Sequence, residues 1–328
     1  MRWRPRNLPL VLLALGGALL LATAIALVVV RGRRETAPPA PPPPPPTTTA
    51  PPPATTTVPP ATTAPPPPAT TAPEAPSPVP FSWQSAGGLV SLADTIDPAV
   101  LGEAMRGAGF GWVAVKLADG STVTTLPPSW IERFRAASGL PVGGWTVLRD
   151  DPVGEAQLAA RLVAQDGLDF YVADAEREYA YTNGADKSGE RYARSRQFVA
   201  AFRAAEPDLP AAISSYCRPD REDIDWGAWA GAGFEFLPQA YVENLGADGD
   251  PAVCVRAAAA FFPPARVHPT LGVHPGQDPT PTPAEYGALL VQAGTRGFSV
   301  YPAENVDGRW DGFADQIRTL AIAQPAPP

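Results

Sequence analysis

From residue 81 onward, short apolar runs alternate with stretches that carry helix signals, and the alternation repeats eight times. The runs fall at 81–85, 112–117, 142–148, 169–175, 211–216, 234–241, 267–273 and 297–301. They have the length of strands, and continuous apolar runs suit strands covered on both faces, as in parallel sheets. Between them, Asp97-Pro98 and Asp151-Pro152 open helices, with Asp as the N-cap and Pro at the first helical position. Pro128-Ser129-Trp130 opens another, and 188–205 is the longest. Further helices are read at 225–230, 251–262, 282–292 and 310–321, and Gly109, Gly139, Gly167, Gly233 and Gly294 stand where helices end. Eight strand–helix units in about 245 residues predict an α/β fold of the (β/α)8 TIM-barrel type. A doubly wound open sheet competes, but no glycine-rich phosphate loop follows the first run.

The chain ahead of this region divides in two. Residues 8–30 are uncharged and predominantly apolar, enough to cross a bilayer as one helix. Residues 1–34 are therefore read as a membrane anchor, with a cleaved signal sequence as the alternative. Residues 35–80 are Pro, Thr and Ala with few exceptions and cannot bury a core. They are expected to form an extended, disordered linker, reaching roughly 140 Å at about 3.1 Å per residue. Thr clusters beside proline suit glycosylation outside a cell. The expectation is a single-pass membrane protein with an extracytoplasmic barrel over 81–325, or a secreted one if the leader is cut.

Six of the 25 basic residues precede position 35 and two of the 33 acids precede position 81, leaving 19 basic and 31 acidic residues, a formal charge of −12. An acidic domain repels phosphate backbones, so nucleic acid is not an expected partner. Cys217 and Cys254 are the only cysteines. Outside the cytoplasm they can pair, and two buried thiols are the alternative. His268 and His274 do not make a metal site on their own, and no metal or cofactor is expected. A monomer is expected.

The chemistry concentrates in Leu168-Asp-Phe-Tyr-Val-Ala-Asp-Ala-Glu-Arg-Glu-Tyr179. Asp174 and Glu176 are two apart, so on a strand they share a face roughly 7 Å apart, and Glu178 continues the series. Acids at the C-terminal end of a barrel strand stand on the rim that carries catalysis. Two close carboxylates are also the minimal equipment for splitting a glycosidic bond. The other strands are expected to offer Trp83 and Gln84, then Lys116 and Asp119, then Trp145 and Arg149. Later strands offer Tyr216, then Gln239, Tyr241, Glu243 and Asn244, then His274 and Gln277, then Tyr301, Glu304 and Asn305. Aromatic faces stack on sugar rings, while amides and acids bind hydroxyls. The alternatives are structural: an ion network of Asp174 and Glu176 with Lys116 and Arg149, and core roles for Trp83, Trp145 and Tyr241.

Phe110-Gly-Trp-Val-Ala-Val-Lys-Leu-Ala-Asp-Gly120 resembles the second-strand motif of glycoside hydrolase family 25 lysozymes, F-V-x-x-K-A-x-E-G. Gly139-Leu-Pro-Val-Gly-Gly-Trp145, with Arg149, Asp151-Pro152 and Glu155-Ala156, is similar to their third strand and following helix. Val172-Ala-Asp-Ala-Glu176 is similar to their fourth-strand D-x-E. The resemblance covers residues 81–180 and implies cleavage of the peptidoglycan glycan strand. It implies Glu176 as the acid that protonates the leaving oxygen, Asp174 as the stabiliser of charge at the anomeric carbon, and Tyr241 as a group that orients an N-acetyl group. Two departures stand out. The family carries an aspartate on strand 1, where this chain reads Phe81-Ser-Trp-Gln84, and another near strand 8, where it reads Tyr301-Pro-Ala-Glu304. Asp169 resembles the first aspartate of the family 18 chitinase motif, but it lies five residues before Asp174 instead of two, an odd offset that turns it to the other face of a strand.

The function expected is a membrane-tethered glycoside hydrolase acting on cell-wall or other polysaccharide. The alternative is a catalytically inactive barrel that binds cell-wall glycan or serves a structural role.

Overall fold

The computed structural model describes residues 76–176, 179, 188–274, 281–305 and 315–316. The anchor segment 8–30, the linker 35–80 as far as residue 75, the helix read at 310–321 apart from residues 315–316, Glu178 and Gln277 lie outside the described residues. Among the described residues no helix is long and apolar enough to cross a membrane.

Eight parallel strands close into a barrel. They are β1 (Ala86–Val90), β2 (Trp112–Asp119), β4 (Val142–Val147), β5 (Tyr171–Asp174), β6 (Ala211–Tyr216), β7 (Glu235–Ala240), β8 (Thr270–Gly272) and β9 (Phe298–Tyr301). A two-residue strand, β3 (Thr122–Val123), folds back antiparallel on β2. Each barrel strand pairs in parallel with its neighbours, and β1 pairs with both β9 and β2, which closes the ring. The crossover helices are α1 (Pro98–Gly107), α2 (Trp130–Ser138), α3 (Pro152–Asp166), α4 (Ser188–Ala205), α5 (Trp226–Gly231), the one-turn α6 (Val242–Leu245) with α7 (Pro251–Ala258), and α8 (Pro283–Ala293).

Local chemistry explains where the helices begin and end. Asp97, Asp151, Asp225 and Asp250 each accept a backbone N–H of the first helical turn. Thr282 and Glu285 form a reciprocal capping box on α8. Gly139 and Gly294 close α2 and α8 at φ 67° and 68°, a region that a side chain would resist.

Strand alternation divides the core in two. Val113, Val115, Tyr171, Ala173, Ile213 and Phe236 point outward and pack against the helices. Leu89, Trp112, Ala114, Trp145, Phe170, Val172, Ala212 and Leu237 point inward and fill the barrel. Trp112 and Phe170 plug the N-terminal end, because β1 and β4 put glycine beside them. A Cβ at Gly87 would lie inside the Trp112 indole, and one at Gly143 inside the Phe170 ring. Phe81 stacks on Phe170 at 4.3 Å, and Trp83 meets Trp112 and Phe170 edge-on at 5.4 and 5.3 Å.

The structure therefore corrects the first strand. It is Ala86–Val90, and the 81–85 segment is the cap of the closed end. A register shift in β2 between Lys116 and Ala118, opposite β4, adds one residue. It brings Asp119 onto the same inward side as Lys116, three residues earlier.

Candidate active site

A small pocket opens at the C-terminal end of the barrel, its empty space of about 310 Å³ including the solvent in its open mouth. Leu89 and Val172 form its apolar floor, Trp145, Tyr241 and Tyr301 its aromatic walls, and Asp174, Glu176, Ser214 and Gln239 its polar groups. Five of the expected site residues that face it come from four strands and their exits: Trp145 from β4, Asp174 and Glu176 from β5, Gln239 from β7, and Tyr301 from β9. Tyr241 follows β7 directly.

One side chain organises the acids. Gln239 Nε2 donates to Asp174 Oδ1 at 3.1 Å and to Glu176 Oε1 at 2.7 Å, with Ser214 Oγ at 3.5 Å. Burial, and then the neighbouring Glu176 charge, hold the Asp174 carboxyl well above the usual carboxylate range. Ser214, Lys116 and Gln239 oppose that shift without cancelling it. The Tyr241 hydroxyl is raised well above its ordinary value by burial and by the charges of Asp174 and Glu176. Tyr301 is pushed up to about 12, by burial first and Asp174 second.

The aromatic walls are held in place. Trp145 Nε1 donates to the Val90 carbonyl at 2.9 Å and meets Tyr301 edge-on at 5.9 Å. Tyr301 stacks on Tyr241 at 6.1 Å. Lys116 Nζ lies 5.3 Å from the Trp145 ring and 3.4 Å from Asp119, which also accepts from Arg149 Nε at 2.7 Å. The Arg149 hydrogen bond is the main reason the Asp119 carboxyl sits below its ordinary value. Lys116 and Arg149 thus pair with Asp119, and among the described residues no ion pair joins them to Asp174 or Glu176, the alternative read from the sequence.

The remaining candidates divide. Trp83 and Gln84 sit at the closed end, where Gln84 Nε2 donates to the Ala265 carbonyl, far along the barrel from the acids. The physical reason is the glycine-rich β1, which starts five residues later than the aromatic run suggests. Glu304 accepts from Ser91 N and Oγ and from Leu92 N at 3.1, 2.6 and 3.1 Å, so it clasps the end of β1. Tyr216 ends β6 and does not line the pocket. His274 stands beside Tyr241 and Tyr301, with ring centroids at 4.9 and 5.7 Å. Ser214 and Leu89 were not among the expected residues; inward parity from Ala212 and from Gly87 is the signal that points to them. Cys217, one residue past β6, is joined to Cys254 of α7 by a disulfide. Among the described residues no group of three His, Cys, Asp or Glu side chains gathers as metal ligands.

No family model matches the sequence, and no curated protein matches it. In three dimensions the chain is similar to a family 18 chitinase from Flavobacterium johnsoniae, at 10% identity and TM-score 0.51 over 72% of this chain and 93% of that one. It is similar to the C-terminal domain of ChiA from Legionella pneumophila, at 12% identity and TM-score 0.51 over 72% and 98%. A family 18 chitinase from Chromobacterium violaceum follows at 15% identity and TM-score 0.51 over 75% and 85%. At such identities the likeness is one of fold: this chain carries a closed (β/α)8 barrel of the kind found in those glycoside hydrolases.

Proposed function

We propose that the chain is a glycoside hydrolase of β-1,4-linked N-acetylhexosamine polymers, with cell-wall glycan as the expected substrate. The observation that carries this reading is the acid pair Asp174 and Glu176, bridged by Gln239 in an aromatic-walled pocket at the catalytic end of the barrel. The family 25 motifs and the chitinase-like fold both favour an N-acetylated glycan. The disulfide favours an oxidising, extracytoplasmic compartment, in keeping with an anchor at 8–30 and a spacer at 35–80.

Glu176 protonates the glycosidic oxygen as the C1–O bond breaks. Retention of configuration is the expected outcome, because two displacements follow one another at C1. An N-acetylhexosamine supplies its own nucleophile: the acetamido oxygen bonds to C1, Asp174 orients that group, and water then opens the ring and returns a proton to Glu176. Trp145 and Tyr301 offer faces for the sugar ring.

Reducing-end release from purified peptidoglycan and from chitin by the full-length chain tests this, beside Glu176→Gln. The wild type should release reducing ends and the variant should lose at least about 100-fold. Equal release by both would remove Glu176 from the reaction.

A second reading, an inactive glycan-binding barrel, is favoured by one observation. β1 ends at Val90 and the N–H and hydroxyl of the next residue, Ser91, are occupied by Glu304, while neither β1 nor the 81–84 segment supplies the acid that family 25 carries on its first strand. Co-sedimentation of wild type and variant with either polymer, without release, would favour it.

A further inference from the structure

Beside the acid pocket stands a third carboxylate, which the hydrolytic reading does not use. Glu243, in the turn after β7, occupies the inward position that β8 leaves vacant at Gly272; a Cβ there would overlap Glu243 Oε1. Its side chain is 0% exposed. The Tyr286 hydroxyl of α8 lies against both Glu243 Oε2, at 3.3 Å, and the Gly272 carbonyl.

His274 Nδ1 is 2.7 Å from Glu243 Oε1. Asn244 Nδ2 is 3.3 Å from the same nitrogen, but the shorter contact to a carboxylate is the one that takes the Nδ1 proton. A neutral imidazole with Nδ1–H so engaged has its lone pair on Nε2. The His274 side chain is 21% exposed while the carboxylate behind it is sealed, so the open edge is the one that carries Nε2. Among the described residues Nε2 has no hydrogen-bond partner. The ring stands edge-on to Tyr241 and Tyr301, the two tyrosines that wall the acid pocket.

A buried carboxylate costs desolvation and is weak support for a purely stabilising role. Buried behind a half-open histidine, it fixes a tautomer. We propose that His274 Nε2 accepts a hydroxyl or amide N–H from a second sugar residue, next to the one at Asp174 and Glu176, and that Glu243 is its positioning residue. This rests on the saccharide reading above. The ligand class is a neutral oligosaccharide long enough to span both places.

The test uses the full-length chain in the Glu176→Gln background, so that ligand is not consumed, and titrates N-acetylglucosamine and its β-1,4-linked hexamer by calorimetry. His274→Asn keeps a donor near the Nδ1 position for Glu243 and lacks a group at Nε2; His274→Gln restores a polar atom near Nε2. His274→Asn should weaken hexamer binding about tenfold, the worth of one hydrogen bond. Binding of the monomer, too short to span both places, should change less, and His274→Gln should recover part of the loss. Equal effects on monomer and hexamer, or none on either, would overturn the proposal while leaving the saccharide reading intact. If the parent protein does not bind the hexamer and the wild type does not cleave it, the saccharide reading falls and the subsite with it.

Discussion

The Asp174 carboxyl sits well above the usual carboxylate range because it is buried and because Glu176 stands two residues away on the same face. An acid whose pKa is raised by folding contributes fully to stability below the ordinary carboxylate value, and that contribution is lost as the pH rises through the raised value. Asp174→Asn should therefore melt with the wild type near pH 3 and above it at pH 8. Thermal melts across that range check this, and a gap that closes toward alkaline pH would contradict it. At Gly87 the direction reverses. Gly87→Val has no room beside Trp112 and should cost about 1–3 kcal/mol, read as a lowered midpoint in denaturant. The acids, Gln239, Tyr241, Trp145 and Tyr301 could be assigned from sequence because inward side chains recur every second residue. Glu243 entered only as one of several rim groups; its slot depends on Gly272, 29 residues away, and on Tyr286 from an outer helix, and no local pattern carries that.

Among the elements, helices were easier to read than strands, since five of the described helices start at a side-chain cap. Asp97 and Asp151 cap as their positions suggested, and Asp225 and Asp250 cap their helices in the same way. Phe81-Ser-Trp misled because aromatic residues suit a strand, while Ala-Gly-Gly-Leu-Val does not advertise one. The glycines there serve the neighbouring strand's tryptophan, a long-range demand. The disulfide belongs to this scale also. It ties the end of β6 to α7, and the segment with Tyr241 and Glu243 lies between those points in sequence. Cys217→Ala with Cys254→Ala should cost about 2–4 kcal/mol, measured by denaturant melts against the wild type in the absence of reductant. An unchanged midpoint would mean that the native packing alone holds α7.

For the whole molecule, the proposed acetamido-assisted reaction makes a stereochemical prediction. Proton NMR of the first product formed should show the β-anomer ahead of mutarotation; an initial α-anomer would require a different pair of carboxyls. Strand–helix rhythm made the closed barrel legible, since eight parallel strands with outer helices leave few other solutions. Phe81, Trp83, Trp112 and Phe170 give that barrel a floor. A tube stopped at one end is a cup, and a polymer cannot thread a cup. Any glycan reaching Asp174 must either dip a terminus into the mouth or drape across the brim and continue on both sides. Draped, it offers a linkage in mid-strand, and each cut halves a long molecule instead of shaving its end.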